Sequence, residues 1–198
     1  MRFKAMSLLR DSFRASVGKA VPVVMAVSLG LMLTLGGGEA RAGSCAAARV
    51  VERAASAFEA AARDGSVSAY TRVLRRHASV TGLALFALGP YRRDFKGQLQ
   101  SRYIRLATGY MGRSMADYGG KILGGKLVIE TCFRQNGAML VKSRMGSSHL
   151  TWRVSGQRIS DVKVEGIWLA LTLRSTFVQV LRDHDGDPQA LIRYLGKS

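Results

Sequence analysis

The spacing of apolar residues changes from a helical to a strand period at Gly119-Gly120, and this change limits the chain to few fold classes. Before the two glycines, apolar residues recur every three to five positions, most regularly from Asp94 to Tyr118. After them, apolar and polar residues alternate from Leu127 onwards, with turn signals at short intervals. Helices followed by an antiparallel meander are typical of an α+β domain. We therefore predict a single α+β domain with N-terminal helices, an antiparallel sheet and C-terminal helices.

The first half is predicted to contain four helices. An alanine-rich helix spans Cys45–Arg63, and a second helix ends near Ser79. The stretch "VTGLALFALGPY" is too short to cross a bilayer and is typical of a short buried helix closed by Gly89-Pro90. The long helix from Asp94 to Tyr118 has tyrosines within its apolar stripe, which suit a cavity wall as well as a dry core.

The last predicted strand changes phase at a glycine. Within "DVKVEGIWLALTLRSTF", the apolar residues occupy even positions before Gly166 and odd positions after it. A glycine at such a change is typical of a β-bulge, which bends a strand and redirects its side chains. We therefore predict one long bent strand, followed by a helix from Ser175; a mere edge irregularity is the alternative. The residues predicted to share one apolar wall are Val164, Ile167, Leu169 and Leu171.

The first 42 residues have the organisation of an export signal. A basic stretch from Arg2 to Lys19 precedes an apolar run from Val21 to Leu35, and Ala40-Arg41-Ala42 has the small-x-small pattern of a cleavage site. The apolar run is about 15 residues long, shorter than the roughly 20 of a spanning helix. We therefore predict a cleaved signal peptide over residues 1–42 and an exported domain over residues 43–198, with an uncleaved anchor helix as the alternative.

The domain that follows the predicted signal is strongly basic. The chain carries a net charge of +17, of which +4 lies in the first 42 residues and +13 in the rest. Such a charge indicates polyanionic partners, namely nucleic acid or anionic membrane surfaces. Export, and the lack of a finger, helix-turn-helix or RNP signature, argue against nucleic acid. We expect lipid headgroups or an acidic protein as partners, and a merely solubilising charge is the alternative.

Both cysteines, Cys45 and Cys132, lie in the predicted exported domain. An oxidising compartment allows one intramolecular disulfide between them, which would tie the N-terminal helix to the sheet. The spacing of the two residues leaves this pairing open.

The sequence does not supply a catalytic constellation. His77, His149 and His184 are scattered over helix, turn and loop, and no metal-ligand spacing is present. The acidic segment "DHDGDP" lacks the glutamate that completes a calcium loop, so a capped turn is the better interpretation. Asp161 and Glu165 would lie about 13 Å apart on one strand, too far for an acid–base pair. We predict no enzymatic activity, no metal site and no cofactor.

Three stretches, which together span about residues 83–195, carry a resemblance to a known family. They are "LALFALGPYRRDFKGQLQSRYIRLATGYMGR", "WRVSGQRISDVKVEGIWLALTLRSTF" and "GDPQALIRYL". The second is the most specific, with aspartate-valine, valine-glutamate-glycine and arginine-serine-x-phenylalanine in order. In these stretches the chain resembles the MlaC family of periplasmic phospholipid-binding auxiliary proteins of ABC transporters, also called toluene-tolerance proteins, and its hopanoid-associated relatives.

The resemblance implies a strongly curved antiparallel sheet around helices, enclosing an apolar cavity for acyl tails. It implies a periplasmic carrier that shuttles phospholipid between an outer-membrane lipoprotein complex and an inner-membrane ABC transporter. From the basic charge and the predicted export we expect transient membrane-surface contact and no nucleic-acid partner. A basic adaptor with a solid core that docks a protein partner, and a carrier of hopanoid or other isoprenoid lipid, are the alternatives.

The residues expected to contact lipid lie on the long-helix region and on the segment opposite it. They are Leu88, Phe95, Leu99, Tyr103, Leu106 and Tyr110 from the former, and Val164, Ile167, Leu169, Leu171 and Phe177 from the latter. Plain core packing is the alternative for each of them, because a periodic stripe reports burial and not the partner.

Overall fold

The computed structural model describes residues 45–122 and 125–197, so the signal peptide predicted over residues 1–42 lies outside the described part. The helices are α1 (Ala46–Asp64), α2 (Val67–His77), α3 (Val80–Ala87), a 3₁₀ helix (Gly89–Asp94), α4 (Gly97–Ile122), α5 (Leu169–Arg182) and α6 (Pro188–Lys197). The strands are β1 (Leu127–Gln135), β2 (Ala138–Met145), β3 (Ser148–Ser155), β4 (Arg158–Val164) and β5 (Ile167–Trp168). The predicted α+β order of helices, antiparallel meander and helices is confirmed.

Local hydrogen bonds define the ends of the first two helices. Gly65 ends α1 in the left-handed conformation, and the Ser66 hydroxyl accepts a hydrogen bond from the Ala69 amide at the start of α2. At the end of α2, the guanidinium of Arg158 donates to the carbonyl oxygens of Arg75 and Ala78. A cation at a helix C-terminus is favourable because the last carbonyls carry partial negative charge. Strand β4 is therefore tied to the end of α2.

The sheet is an open meander in which each strand pairs antiparallel with the next, in the order β1-β2-β3-β4-β5. Asn136 and Gly137 have φ angles of 48° and 76°, which confirms the predicted hairpin turn. The pairing register shifts between Ile129 and Thr131 and again between Arg153 and Val154. Such bulges typically bend a strand and increase its twist.

The prediction that Gly166 bends one long final strand is wrong. Strand β4 ends at Val164, and Glu165 and Gly166, with φ angles of 46° and 87°, form a two-residue turn into β5. Strand β5 then pairs back onto β4, with Lys163 opposite Trp168. Two successive positive φ angles are those of a tight hairpin turn. The alternation changes phase because the chain reverses direction.

Helix α5 begins at Leu169, six residues before the predicted start at Ser175. The leucines from Leu169 to Leu173 alternate as in a strand, but Leu169, Leu173 and Phe177 also have the i, i+4 spacing of a helix. Short apolar runs fit both periods, and here contacts from the sheet select the helix.

The buried apolar residues form two clusters. We call the first the sheet cluster: it packs α1 and α2 against one face of the sheet and includes Phe58, Tyr70 and Trp152. The second, the helical cluster, packs α3, α4, α5 and α6 together and includes Tyr103 and Phe177. Leu173 of α5 packs against both clusters. The described residues therefore have a divided core with α5 at the division.

Cys45 and Cys132 form a disulfide that joins the residue before α1 to strand β1. The link connects residues 87 positions apart. The structure thus decides the pairing that the sequence left open, and it fixes the N-terminal helix to the edge of the sheet.

Replacement of Gly89 by alanine should destabilise the fold more than replacement of Gly65 by alanine. Both glycines have positive φ, but a Cβ at Gly89 would lie 2.9 Å from Cγ2 of Val178, whereas a Cβ at Gly65 would meet open space. We expect Gly65→Ala to cost about 1 kcal/mol from backbone strain alone, and Gly89→Ala about 3 kcal/mol from strain and overlap. Urea unfolding of both variants measures the difference, and equal costs would contradict the close packing of Gly89 against α5.

Candidate functional site

The residues predicted to contact lipid are divided between the two clusters and the surface. Those buried in the helical cluster are Leu88, Phe95, Tyr103, Tyr110 and Phe177, with Leu99 and Leu106 half-buried against it. Val164 is buried in the sheet cluster, and Leu169 is half-buried against it. Ile167 and Leu171 are exposed, at 37% and 52%. The structure does not bring these residues together on one wall.

The aromatic residues of the helical cluster pack against each other. The ring centroid of Tyr103 lies 5.0 Å from that of Phe95 and 6.2 Å from that of Phe177, and the ring of Tyr110 lies 5.5 Å from Phe177. The Tyr103 hydroxyl donates to the Ala84 carbonyl over 2.7 Å, and burial raises the pKa of Tyr103. This hydrogen bond joins α4 to α3, and together with the ring contacts it gives the cluster the character of a packed core.

A row of half-buried apolar side chains lies where α3, α5 and β4 meet. Val80 and Leu83 of α3, Val162 of β4, and Leu169 and Leu173 of α5 all pack against the sheet cluster without being fully covered. The three elements contact one another in pairs. We call these five residues the apolar seam. Only Leu169 of the five was predicted from the sequence.

Helix α3 contributes no charge to the apolar seam. Its sequence, VTGLALFA, is apolar on every side except for Thr81. A helix that is apolar all round is usually buried, yet Phe86 on its outer side is 41% exposed. This uniform apolarity is the sequence signal that could have identified α3 as part of a site.

The carboxylate of Asp161 holds the start of α5 against β4. Helix α5 has no side-chain cap of its own, because Trp168 at its N-cap position makes no cap hydrogen bond. The Oδ1 atom of Asp161 accepts hydrogen bonds from the amides of Ala170 at 3.0 Å and Val162 at 2.9 Å. Its side chain is buried, and burial raises the pKa of Asp161 although both amides and Arg153 oppose the shift. The aspartate therefore acts as a cap supplied from the strand.

Two cations flank Trp168 beside this cap. The guanidinium carbon of Arg153 lies 4.2 Å from the centroid of the Trp168 ring, and the Lys163 Nζ lies 5.2 Å from it. Arg153 also approaches Asp161, with 3.8 Å between Nη1 and Oδ2. The residue before α5 is thus an aromatic side chain in contact with two positive charges.

The surface of the described residues includes two open clefts. One, of about 270 Å³, lies at the Asn136 turn, and the other, of about 840 Å³, is lined by the start of α4, Arg102, Arg105 and Gln189. Neither is the enclosed apolar cavity that the family resemblance implies, because both are open to solvent. Among residues 45–122 and 125–197, no cluster of His, Cys, Asp or Glu has the arrangement of a metal site. Over the same residues, no helix is long and apolar enough to cross a membrane.

Comparisons with known proteins agree on the fold. The family described as MlaC protein matches residues 46–197 of the chain. A solved structure of a phospholipid-binding protein from Ralstonia solanacearum, in complex with a phospholipid, superimposes with a TM-score of 0.61 at 15% sequence identity. The match covers 75% of this chain and 94% of the Ralstonia chain. No curated protein sequence matches the chain.

Replacement of Asp161 should separate the stability that its hydrogen bonds contribute from the pH-dependent cost of its buried charge. Asp161→Asn keeps an oxygen that can accept from the Ala170 amide, whereas Asp161→Ala removes it and should cost about 1–3 kcal/mol of unfolding free energy. Burial raises the pKa of Asp161 above the ordinary value of 3.8, so the folded state keeps this proton to higher pH than the unfolded state does. The wild-type protein should therefore lose stability relative to Asp161→Asn as the pH rises from about 3.8 through the raised pKa.

Chemical unfolding at several pH values measures both effects. Every other titratable group is common to wild type and Asp161→Asn, so the difference between their stability curves isolates this one carboxyl group. A difference that does not change with pH would show that the pKa of Asp161 is the same in both states.

Proposed function

We propose that this chain, which belongs to the MlaC family, is a phospholipid-binding protein that carries lipid across the periplasm without catalysing a reaction. The family match over residues 46–197 is the observation that carries the proposal. It is supported by the likeness in fold to a protein solved with a phospholipid bound. Residues 1–42 would be the cleaved export signal and residues 43–198 the lipid-binding domain.

The physical task of such a carrier is to keep acyl tails out of water. Each methylene that moves from hydrocarbon into water costs about 0.8 kcal/mol, so two tails of some sixteen carbons cost on the order of 25 kcal/mol. A protein can lower this cost only by giving the tails an apolar surface in place of water. The headgroup needs no burial and would be costly to bury, so we expect it to remain at the surface.

We propose that the tails enter along the apolar seam. The side chains that face it from α3 and α5 are aliphatic, and hydrophobic contacts are not directional, so lipid methylenes can replace them at little cost in specific interactions. The helical cluster is less suited to such replacement, because Tyr103 would lose its hydrogen bond to Ala84 in a buried setting. In this proposal the structure, whose buried apolar side chains pack against each other, corresponds to the carrier without lipid.

The wider role follows from the family and the predicted export. We propose that the domain receives and delivers phospholipid between an outer-membrane lipoprotein complex and an inner-membrane ABC transporter. The net charge of +13 outside the predicted signal suits partners with acidic surfaces or anionic headgroups. Hopanoid or another isoprenoid lipid is the alternative cargo, because the apolar seam selects for apolar length rather than for a headgroup.

One observation favours a second candidate function. The buried apolar residues of the described part pack into two clusters, and this packing suits a solid basic adaptor that docks a protein partner. Extraction of the purified protein with organic solvent, followed by mass spectrometry, separates the candidates. About one phospholipid per protein supports the carrier, an isoprenoid lipid in its place identifies the alternative cargo, and a protein free of lipid supports the adaptor.

A charge placed in the apolar seam should prevent lipid loading. Leu169→Glu puts a carboxylate among Val162, Leu173 and the tails, where an unpaired charge costs several kcal/mol. We expect the extracted lipid per protein to fall at least tenfold, since about 1.4 kcal/mol already corresponds to a factor of ten. Ser175→Glu adds the same charge on the exposed side of the same helix and should leave loading unchanged.

Both variants need to be compared as folded proteins, by circular dichroism and thermal unfolding. Normal loading of folded Leu169→Glu would show that the tails bind elsewhere. A loss of loading in both variants would show that the added charge acts through the helix as a whole and not through the apolar seam.

A further inference from the structure

Large apolar side chains are exposed on the outer side of the two helices that form the apolar seam. Five such side chains are exposed among the described residues, and three of them lie on α3 (Phe86), on β5 (Ile167) and at the start of α5 (Leu171). Arg174 lies one helical turn after Leu171, and its guanidinium carbon is 5.1 Å from the centroid of the Phe86 ring. This contact connects the two helices across their outer side. We call Phe86, Ile167, Leu171 and Arg174 the docking patch.

Positive charge surrounds the docking patch. The Arg174 Nε atom lies 3.1 Å from the position that a Cβ of Gly89 would take, so the 3₁₀ helix with Arg92 and Arg93 is adjacent. Arg153 and Lys163 lie over the ring of Trp168, the residue that follows Ile167. Within residues 45–122 and 125–197, the guanidinium groups of Arg92, Arg93 and Arg174 form no ion pair with a carboxylate.

Carboxylates near the docking patch are fewer than cations. Asp94 ends the 3₁₀ helix, and Glu165 lies in the turn before β5. The Glu165 carboxylate accepts a hydrogen bond from the His149 amide, and that of Asp161 is buried under α5. The local charge is therefore positive, and the arginines remain available for an anionic partner.

We propose that the docking patch binds the surface of an anionic phospholipid bilayer, with Phe86, Ile167 and Leu171 inserted at the level of the headgroups. Exposed aromatic and aliphatic side chains beside unpaired cations are typical of interfacial membrane binding, in which apolar burial and attraction to anionic lipid act together. Each nearby Lys or Arg strengthens such binding roughly fivefold.

This inference rests on the proposed function, because it gives the carrier a place to exchange lipid. Leu83 of the apolar seam and Phe86 of the docking patch are three residues apart on α3 and therefore lie on the same side of that helix, one half-buried and the other exposed. A bilayer that contacts the docking patch would therefore lie next to the apolar seam. Acyl tails would pass between bilayer and protein with little exposure to water.

Vesicle flotation tests the docking patch. Purified protein is mixed with vesicles of phosphatidylglycerol and phosphatidylcholine, or of phosphatidylcholine alone, and the floated fraction is measured at low and high salt. The wild type should bind the anionic vesicles at least tenfold more tightly, and salt should weaken that binding. The double variant Phe86→Ser, Leu171→Ser should lose at least tenfold, and Arg174→Gln should lose severalfold with a weaker salt dependence.

Val128→Ser is the matched control. Val128 is 42% exposed, about as much as Phe86, but it lies on β1, at the edge of the sheet opposite β5. This variant should bind vesicles as the wild type does. Wild-type binding by the double variant, an equal loss in Val128→Ser, or equal binding of the wild type to both kinds of vesicle would overturn the proposal.

Tryptophan fluorescence gives a second measurement that does not depend on substitutions at the docking patch. Trp168 is half-buried beside the docking patch, whereas Trp152 is buried and donates its Nε1–H to Ser143. The protein has only these two tryptophans, so Trp168→Phe assigns the signal. Anionic vesicles should shift the emission to shorter wavelength in the wild type and not in Trp168→Phe, and an unchanged wild-type spectrum would contradict docking at this surface.

Two further results separate this inference from the proposed function. Vesicle binding through the docking patch by a protein that yields no extractable lipid would support docking and overturn the carrier role. Extractable lipid in a protein that binds polyaspartate but not anionic vesicles would support the carrier and assign the docking patch to an acidic protein partner, which overturns the membrane proposal.

Discussion

The carboxylate of Asp161 connects strand β4 to helix α5. Its Oδ1 atom joins the amide of Val162 on β4 to that of Ala170 at the start of α5, a helix without a side-chain cap of its own. Burial raises the pKa of this group, so its position has a free-energy cost that its hydrogen bonds offset in part. This contact therefore fixes the start of the helix whose residues pack against both apolar clusters.

The two clusters differ in how readily a ligand could replace their contacts. Rings packed edge to face and the hydrogen bond from Tyr103 to Ala84 fix the helical cluster in one arrangement, because each needs a specific geometry. The apolar seam consists of aliphatic side chains, whose contacts are roughly proportional to area and independent of orientation. A protein that must exchange acyl tails for its own side chains is expected to do so at the second kind of surface. The seam, rather than the aromatic stripe of the long helix, therefore fits the proposed lipid site.

Helix α5 combines several roles because successive residues of a helix point in different directions. Leu169 and Leu173 face the sheet cluster, Phe177 and Leu181 are buried in the helical cluster, and Leu171 is exposed. Arg174 reaches Phe86 of α3 and keeps a positive charge beside exposed apolar surface. On α3, Leu83 of the apolar seam and Phe86 of the docking patch are three residues apart and share one side of the helix, so the proposed lipid site and the proposed membrane contact lie close together.

Local patterns in the sequence determined the fold class, the order of helices and sheet, the Asn136-Gly137 hairpin and the resemblance that the family match bears out, because periodicity and turn chemistry act between near neighbours. The sequence also identified residues that are buried, but not the partners against which they pack. The Glu165-Gly166 turn was misread as a bulge within one strand. The residues from Leu169 onwards were misread as a continuation of that strand, because alternating leucines fit a strand and a helix equally well. Only the tertiary structure decided between strand and helix at Leu169, because Asp161 of β4, eight residues earlier, caps the helix. The division of the predicted lipid residues between two clusters and the surface was decided in the same way, since it depends on contacts between elements that are distant in sequence.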